Sequence, residues 1–279
     1  MQLTPRYDGA APLSVEVPFG DPSVPLVRQR RRMAEMLGAL ETDQWMVASR
    51  CDGWSVQDVI AHLAGVNRFW ALSIRSGLAG SPTRYLTDFD PVTTPQRMVE
   101  PTRALAPGAV LDDFADSVDD LGDAIGGVDD ASWERPAEAP PGHIALRALA
   151  LHALWDAWIH ERDIMLPLGL VPVEEADEVT GSLLYAAILG PALMAASGRR
   201  LSGKLAIRAD RPTINFVVDV GVSVVARPPA AADADAWQLT GSAVSLVEGL
   251  SARMALSHDL PADDSWLVDG LGKAFAPVR

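Results

Sequence analysis

The chain has 279 residues, enough for one large domain or two modest ones with a sizeable core. Its formal charge of −14 at pH 7 argues against a nucleic-acid partner, whose binding rests on cationic contacts to phosphate, and against an anionic membrane surface. The single cysteine, Cys51, excludes an intrachain disulfide and fits a reducing compartment; with no basic and apolar leader at the start, a cytoplasmic protein is expected.

Residues 1–23 are rich in Pro and Gly and lack a helical period, which predicts an extended arm. Val24 to Leu40 predicts a helix with Leu26, Met33, Met36, Leu37 and Leu40 on one face. The opposite face carries Arg30, Arg31 and Arg32 and reads as solvated. Ser55 and Asp58 form a capping-box-like start to a helix that should run to about Ser76 and stop at Gly77. Its apolar face holds Val59, Ile60, Leu63, Val66 and Trp70, with His62 beside it. Ser81 to Pro107 reads as a long loop over the site. A further amphipathic helix is expected from Val110 to Ile125, closed by Gly126 and Gly127. Pro136 to Gly142 reads as a loop. The next helix is expected from Ile144 to Leu166, ended by Pro167 and Gly169, and another from Glu174 to Ala196. Within the last, Gly181 to Ala196 is too short to span a bilayer and carries Pro191.

After Gly198 the pattern changes to β-branched alternation. Strands are expected at Lys204–Asp210, Ile214–Asp219, Val222–Arg227 and Trp237–Thr240, with a turn or loop from Pro228 and a helix from Gly241 to about Met254. The fold class is therefore α+β: an all-α first two-thirds followed by an α+β third.

The chemistry concentrates on the helix near residue 150. His152, Asp156 and His160 recur every four residues, so they share one stripe of an apolar helix among Leu151, Leu154, Trp155, Trp158 and Ile159. A divalent ion held by three protein ligands keeps a position open for water or substrate, and His and carboxylate donors suit zinc, and also iron, nickel or manganese. Asp156 and His160 would supply an i, i+4 pair and His62 the third ligand. On spacing alone, His62 as a hydrogen-bonded core residue and Asp156–His160 as a plain ion pair remain open. Asp163, one turn after His160, is placed either to orient a ligating imidazole or to pair with Arg162.

Two patterns resemble a known family. The run Cys51-Asp52-Gly53-Trp54-Ser55-Val56-Gln57-Asp58-Val59 through His62-Leu63-Ala64-Gly65 is similar to the N-terminal metal-binding domain of mycothiol-dependent maleylpyruvate isomerase. The second is Asp156-Ala-Trp-Ile-His160-Glu-Arg-Asp163. The resemblance implies a DinB-like four-helix bundle over residues 24–198 and a small sterol-carrier-like α+β domain over 199–279. It implies metal ligands at His62, Asp156 and His160, with Asp163 behind them. The family usually has Glu where this chain has Asp156, a carboxylate one methylene shorter, so His152 stands as reserve ligand. Arg253 falls where the family's C-terminal Arg reaches the active site, which implies a catalytic residue holding an anionic group of the substrate; its alternative reading is a solvent-facing helix-end cation. The resemblance also implies a divalent cofactor, zinc first, and mycothiol as thiol cosubstrate acting on a small electrophile. In the isomerase the thiolate adds to the double bond of maleylpyruvate, rotation follows, and elimination returns the thiol; relatives transfer the thiol instead. A non-catalytic small-molecule or lipid-binding protein is the competing function. Cys51, ahead of the helix and eleven residues from His62, reads as a small packed hydrophobe rather than a nucleophile.

Overall fold

The structure, a computed structural model, describes residues 3–198 and 201–275. The first two residues of the arm, residues 199 and 200 at the expected junction, and the last four residues lie outside the described residues. Among the described residues, eight helices and a mixed five-stranded sheet make the α+β fold expected from the sequence.

Four helices pack around the first core: α1 (Ser23–Gly38), α2 (Val56–Leu78), α4 (Pro107–Ile125) and α5 (Leu146–Met165). Met33, Leu37, Val59, Ile60, Leu63, Phe114 and Val118 fill its interior, as their helical spacing requires. A 21-residue helix, α6 (Ala176–Ala196), packs on α5 and on its other side meets α7 (Ala243–Leu250), α8 (Trp266–Phe275) and the sheet. The sheet runs β1-β6-β5-β4-β7, with β4 at Gly203–Asp210, β5 at Ile214–Val220, β6 at Val224–Arg227 and β7 at Trp237–Ser242. Its edge strand β1 (Leu13–Val15) comes from the N-terminal arm and lies parallel to β6.

Several expectations change. The arm is extended, but it is also built into the body: Leu3 and Leu13 are buried, and Thr4 N–H donates to the Ala196 carbonyl. The expected loop at 136–142 is a hairpin, β2 (Pro136–Ala139) and β3 (Gly142–Ala145), because the chain pairs with itself across residues 140 and 141. Gly77 does not stop α2; a Cβ there would lie 2.5 Å from the Pro136 carbonyl, so the glycine lets helix and hairpin touch. The 81–107 connection contains a short helix, α3 (Thr93–Val99), packed on α2. The helix after β7, α7, ends at Leu250 rather than Met254. Measured from Ala176, α6 is long and apolar enough to cross a membrane, contrary to the shorter reading; its apolarity is accounted for by burial of 83% of that window inside the protein.

The basic face of α1 is solvated only at Arg31, which is exposed; Arg30 and Arg32 turn inward. Arg30 is 1% exposed and donates to Asn67, Gln29 and the Ala153 carbonyl. Burial pulls its guanidinium down to about 10, while Asp156 and Glu161 support the charge. Arg32 bridges the buried carboxylates of Glu161 and Glu178, tying α1 to α5 and α6.

Helices α6 and α8 meet at a glycine pair. A Cβ on Gly190 would stand 2.9 Å from the Leu271 amide nitrogen, and one on Gly270 would stand 2.8 Å from the Gly190 carbonyl. Backbone cannot yield as a side-chain tip can, so Gly190→Ala is expected to destabilise the protein by about 1–3 kcal/mol in denaturant unfolding. An unchanged midpoint would show that the crossing is looser than this.

Candidate metal centre

Local structure fixes each ligand-bearing helix. Ser55 Oγ accepts from the Asp58 amide at 3.2 Å and Asp58 Oδ2 accepts from the Ser55 amide at 3.0 Å, so the expected capping box sets the start of α2. Two turns on, His62 faces α5. Along α5, Asp156 and His160 share a face, and His160 Nε2 lies 3.7 Å from Asp156 Oδ1. His62 Nε2 lies 3.9 Å from Asp156 Oδ2, and the two imidazole centroids are 5.1 Å apart. All three ligand atoms fall within 4.8 Å of one another. The structure thus brings together the three residues expected as ligands.

His152 stands apart from that group. It is 5% exposed, its Nδ1 lies 2.7 Å from the Tyr185 hydroxyl, and Trp70 packs edge-on against it at 4.7 Å. Asp156 itself lies within the candidate ligand group, and His152 does not.

A second tier surrounds Asp163, which is fully buried. His160 Nδ1 is 3.0 Å from its Oδ2, and Arg253 approaches both oxygens, with Nε at 2.9 and 3.1 Å and Nη2 at 2.8 Å. The Cys51 thiol donates to the same carboxylate at 3.2 Å and lies 3.6 Å from His160 Nδ1. Cys51 is therefore not a simple packed hydrophobe; the turn before α2 sets its sulfur against polar groups of the centre. Cys51, His160 and Asp163 also have the spacing of a ligand group. Arg253 Nη2 at 3.6 Å from the sulfur puts a positive charge where a cation would sit, which disfavours an ion between these three residues. Arg253 reaches the centre, as expected, and is not a solvent-facing cation. Arg50 and Glu248 were not foreseen: Arg50 Nε is 3.6 Å from Asp163 Oδ1, and Glu248 joins Arg50 to Arg162. Only the adjacency of Arg50 to Cys51 in the sequence could have hinted at them.

The electrostatics suit a cation. Burial pulls the His62 imidazole down to about 4, against the pull of Asp156, so it is neutral and offers a lone pair at pH 7. Burial also opposes charge on His160, but the Cys51 sulfur, Asp163 and Asp156 together push it up to about 10. A cation there would take the place of the Nε2 proton, while Nδ1–H stays on Asp163. Asp163 is held well below the carboxylate range: desolvation is outweighed by His160 and Arg253. Buried Asp156 Oδ2 and His62 Nδ1 have no hydrogen-bond partner among the described residues. The 3.7 and 3.9 Å separations are too long for hydrogen bonds, yet ligand bonds of about 2.0–2.2 Å around a tetrahedral ion space donors by about 3.4 Å. The donor set fits a small divalent ion after a slight contraction.

Comparison with known proteins places the fold and the family. The model of the mycothiol maleylpyruvate isomerase N-terminal domain family matches residues 26–165. A crystal structure of the mycothiol-dependent maleylpyruvate isomerase matches at 16% identity, covering 88% of this chain and 95% of that one, with a TM-score of 0.61. The structure of a histidine-to-alanine mutant of such an isomerase matches at 15% identity with the same coverage and score. At these identities the likeness is one of fold. No curated protein matches the chain. With the family model matched over half of its length, the chain belongs to the mycothiol maleylpyruvate isomerase N-terminal domain family.

Proposed function

We propose that the protein is a metal-dependent enzyme that uses a low-molecular-weight thiol, mycothiol first, on a small electrophile. Isomerisation is the leading reaction and thiol transfer the second. The observation that supports this most is the convergence of His62 Nε2, Asp156 and His160 Nε2, with Asp163 behind His160.

His62, Asp156 and His160 would hold the ion, which supplies Lewis acidity that lowers the pKa of a coordinated thiol. The remaining work falls to the chain. His62 stays neutral because it is buried, so it competes for no proton at pH 7. Asp156 brings the one negative charge among the ligands. Asp163 keeps a proton on His160 Nδ1 and so would leave Nε2 free to hold the ion. The Trp54 ring, 5.4 Å from His62, walls the centre on the side of the turn before α2. An isomerisation of the maleylpyruvate type needs no further redox partner: sulfur adds to an alkene carbon, the new single bond rotates, and elimination restores both alkene and thiol.

The competing reading, a non-catalytic binding protein, calls for an open apolar interior between α6 and the sheet. Leu205, Ile207, Phe216 and Val218 there are 0% exposed and packed with α6, so nothing favours it.

The test is elemental analysis of purified protein followed by isomerase and thiol-transfer assays with mycothiol. About one divalent ion per chain and thiol-dependent turnover support the reading. A folded protein that takes up neither zinc nor cobalt overturns it.

A further inference from the structure

Three chain segments converge on one buried carboxylate. Asp163 belongs to α5, Cys51 to the turn before α2, and Arg253 to the segment after α7. That last segment is shaped for the purpose. Helix α7 closes with the Arg253 amide donating to the Glu248 carbonyl at 2.8 Å, across Ala252 at φ 58°. Glycine normally takes that left-handed position, and a residue with a Cβ sits there under strain. The turn is the one that places Arg253 against Asp163.

We infer that Arg253 is a positioning residue for the metal ligand His160, acting through Asp163. The inference rests on the metal-site reading above. Asp163 is the only described partner that His160 Nδ1 has at hydrogen-bonding distance other than the Cys51 sulfur. Whichever way that carboxylate points, the imidazole follows. Arg253 holds both of its oxygens, so the carboxylate cannot easily rotate. The result is a fixed Nδ1–H tautomer with Nε2 aimed at Asp156 and His62. The C-terminal α+β part thus sets the metal affinity of a centre whose ligands all belong to the helices before it. Two of the Arg253 nitrogens are committed to this contact; Nη1 touches only the Ser251 carbonyl, at 3.4 Å.

The test is zinc and cobalt affinity by competition with a chromophoric chelator, with the visible spectrum of the cobalt form as a second readout. Arg253→Ala is expected to weaken metal binding 10–100-fold and to shift the cobalt bands. Arg253→Lys, which keeps the charge but loses the fork, should fall between. In an Asp163→Asn background, Arg253→Ala should add little, because the path has already been cut. If Arg253→Ala does not fold, the Lys variant and the double-variant comparison carry the test. Wild-type affinity and an unchanged cobalt spectrum in the Arg253 variants would overturn the inference while leaving the metal centre standing. A wild-type chain that binds neither ion overturns both.

Discussion

His62→Ala is expected to reduce bound divalent metal from about one ion per chain to a trace and to abolish thiol-dependent turnover, with the fold retained. His62 is the only ligand contributed by α2, so its loss leaves Asp156 and His160, an i, i+4 pair that cannot alone hold a small ion in a tetrahedral site. The stability effect should be modest, because His62 Nδ1 has no partner to strand and the ring is already neutral. A loss of about 0.5–3 kcal/mol is the ordinary range for such a truncation. Zinc separates the two effects. An ion present at about a hundred times its Kd stabilises the native state by about 2.7 kcal/mol, so wild-type protein should melt several degrees higher with zinc than with a chelator. His62→Ala should melt at one temperature in both. A zinc-dependent shift of wild-type size in the variant would place the ion elsewhere.

The order of elements was readable because most of them obey one period. The capping box of Ser55 and Asp58, the stripe Asp156-x-x-x-His160 and the strands around residues 204–227 each declare themselves within a short window. The misreadings share a cause: they depend on what lies across the contact. Arg30, Arg31 and Arg32 look like a wet face until Asn67 and Ala153 are seen to satisfy Arg30 in the interior. Gly77 looks like a stop until Pro136 is seen against it. The candidate ligands were legible because α2 and α5 repeat a family spacing. The support around them was not, because Cys51, Asp163 and Arg253 are separated by 112 and 90 positions along the chain. His152 shows the limit in the other direction: it has the right spacing on the right helix, and Tyr185 takes it.

The seam between the ligand-bearing helices and the C-terminal part should also set acid stability, through Glu248. This carboxylate on α7 is 6% exposed and accepts from Arg162 Nε at 2.6 Å and from both terminal nitrogens of Arg50. It mirrors the other tie: Arg253 reaches out to Asp163, and Arg50 and Arg162 reach back to Glu248. Removing one member of a buried ion pair costs about 3–5 kcal/mol. Glu248→Ala should fall at the low end, about 3 kcal/mol, because Arg162 keeps Glu174 and Arg50 keeps Asp163 as alternative acids. For a chain of this size that is a drop of roughly 5 °C in melting temperature. The pH dependence has a definite sign. Desolvation raises the Glu248 carboxyl, but Arg50 and Arg162 outweigh it and hold the group below its ordinary 4.5. A depressed carboxyl contributes its full stability above that ordinary value and loses it as pH falls through the lower folded one. The gap between wild type and Glu248→Gln should therefore be widest at neutral pH and close as acid protonates the wild-type carboxylate. Unfolding measured from pH 7 to pH 3 decides it, and a gap that stays constant over that range would mean that shape, not charge, holds the seam.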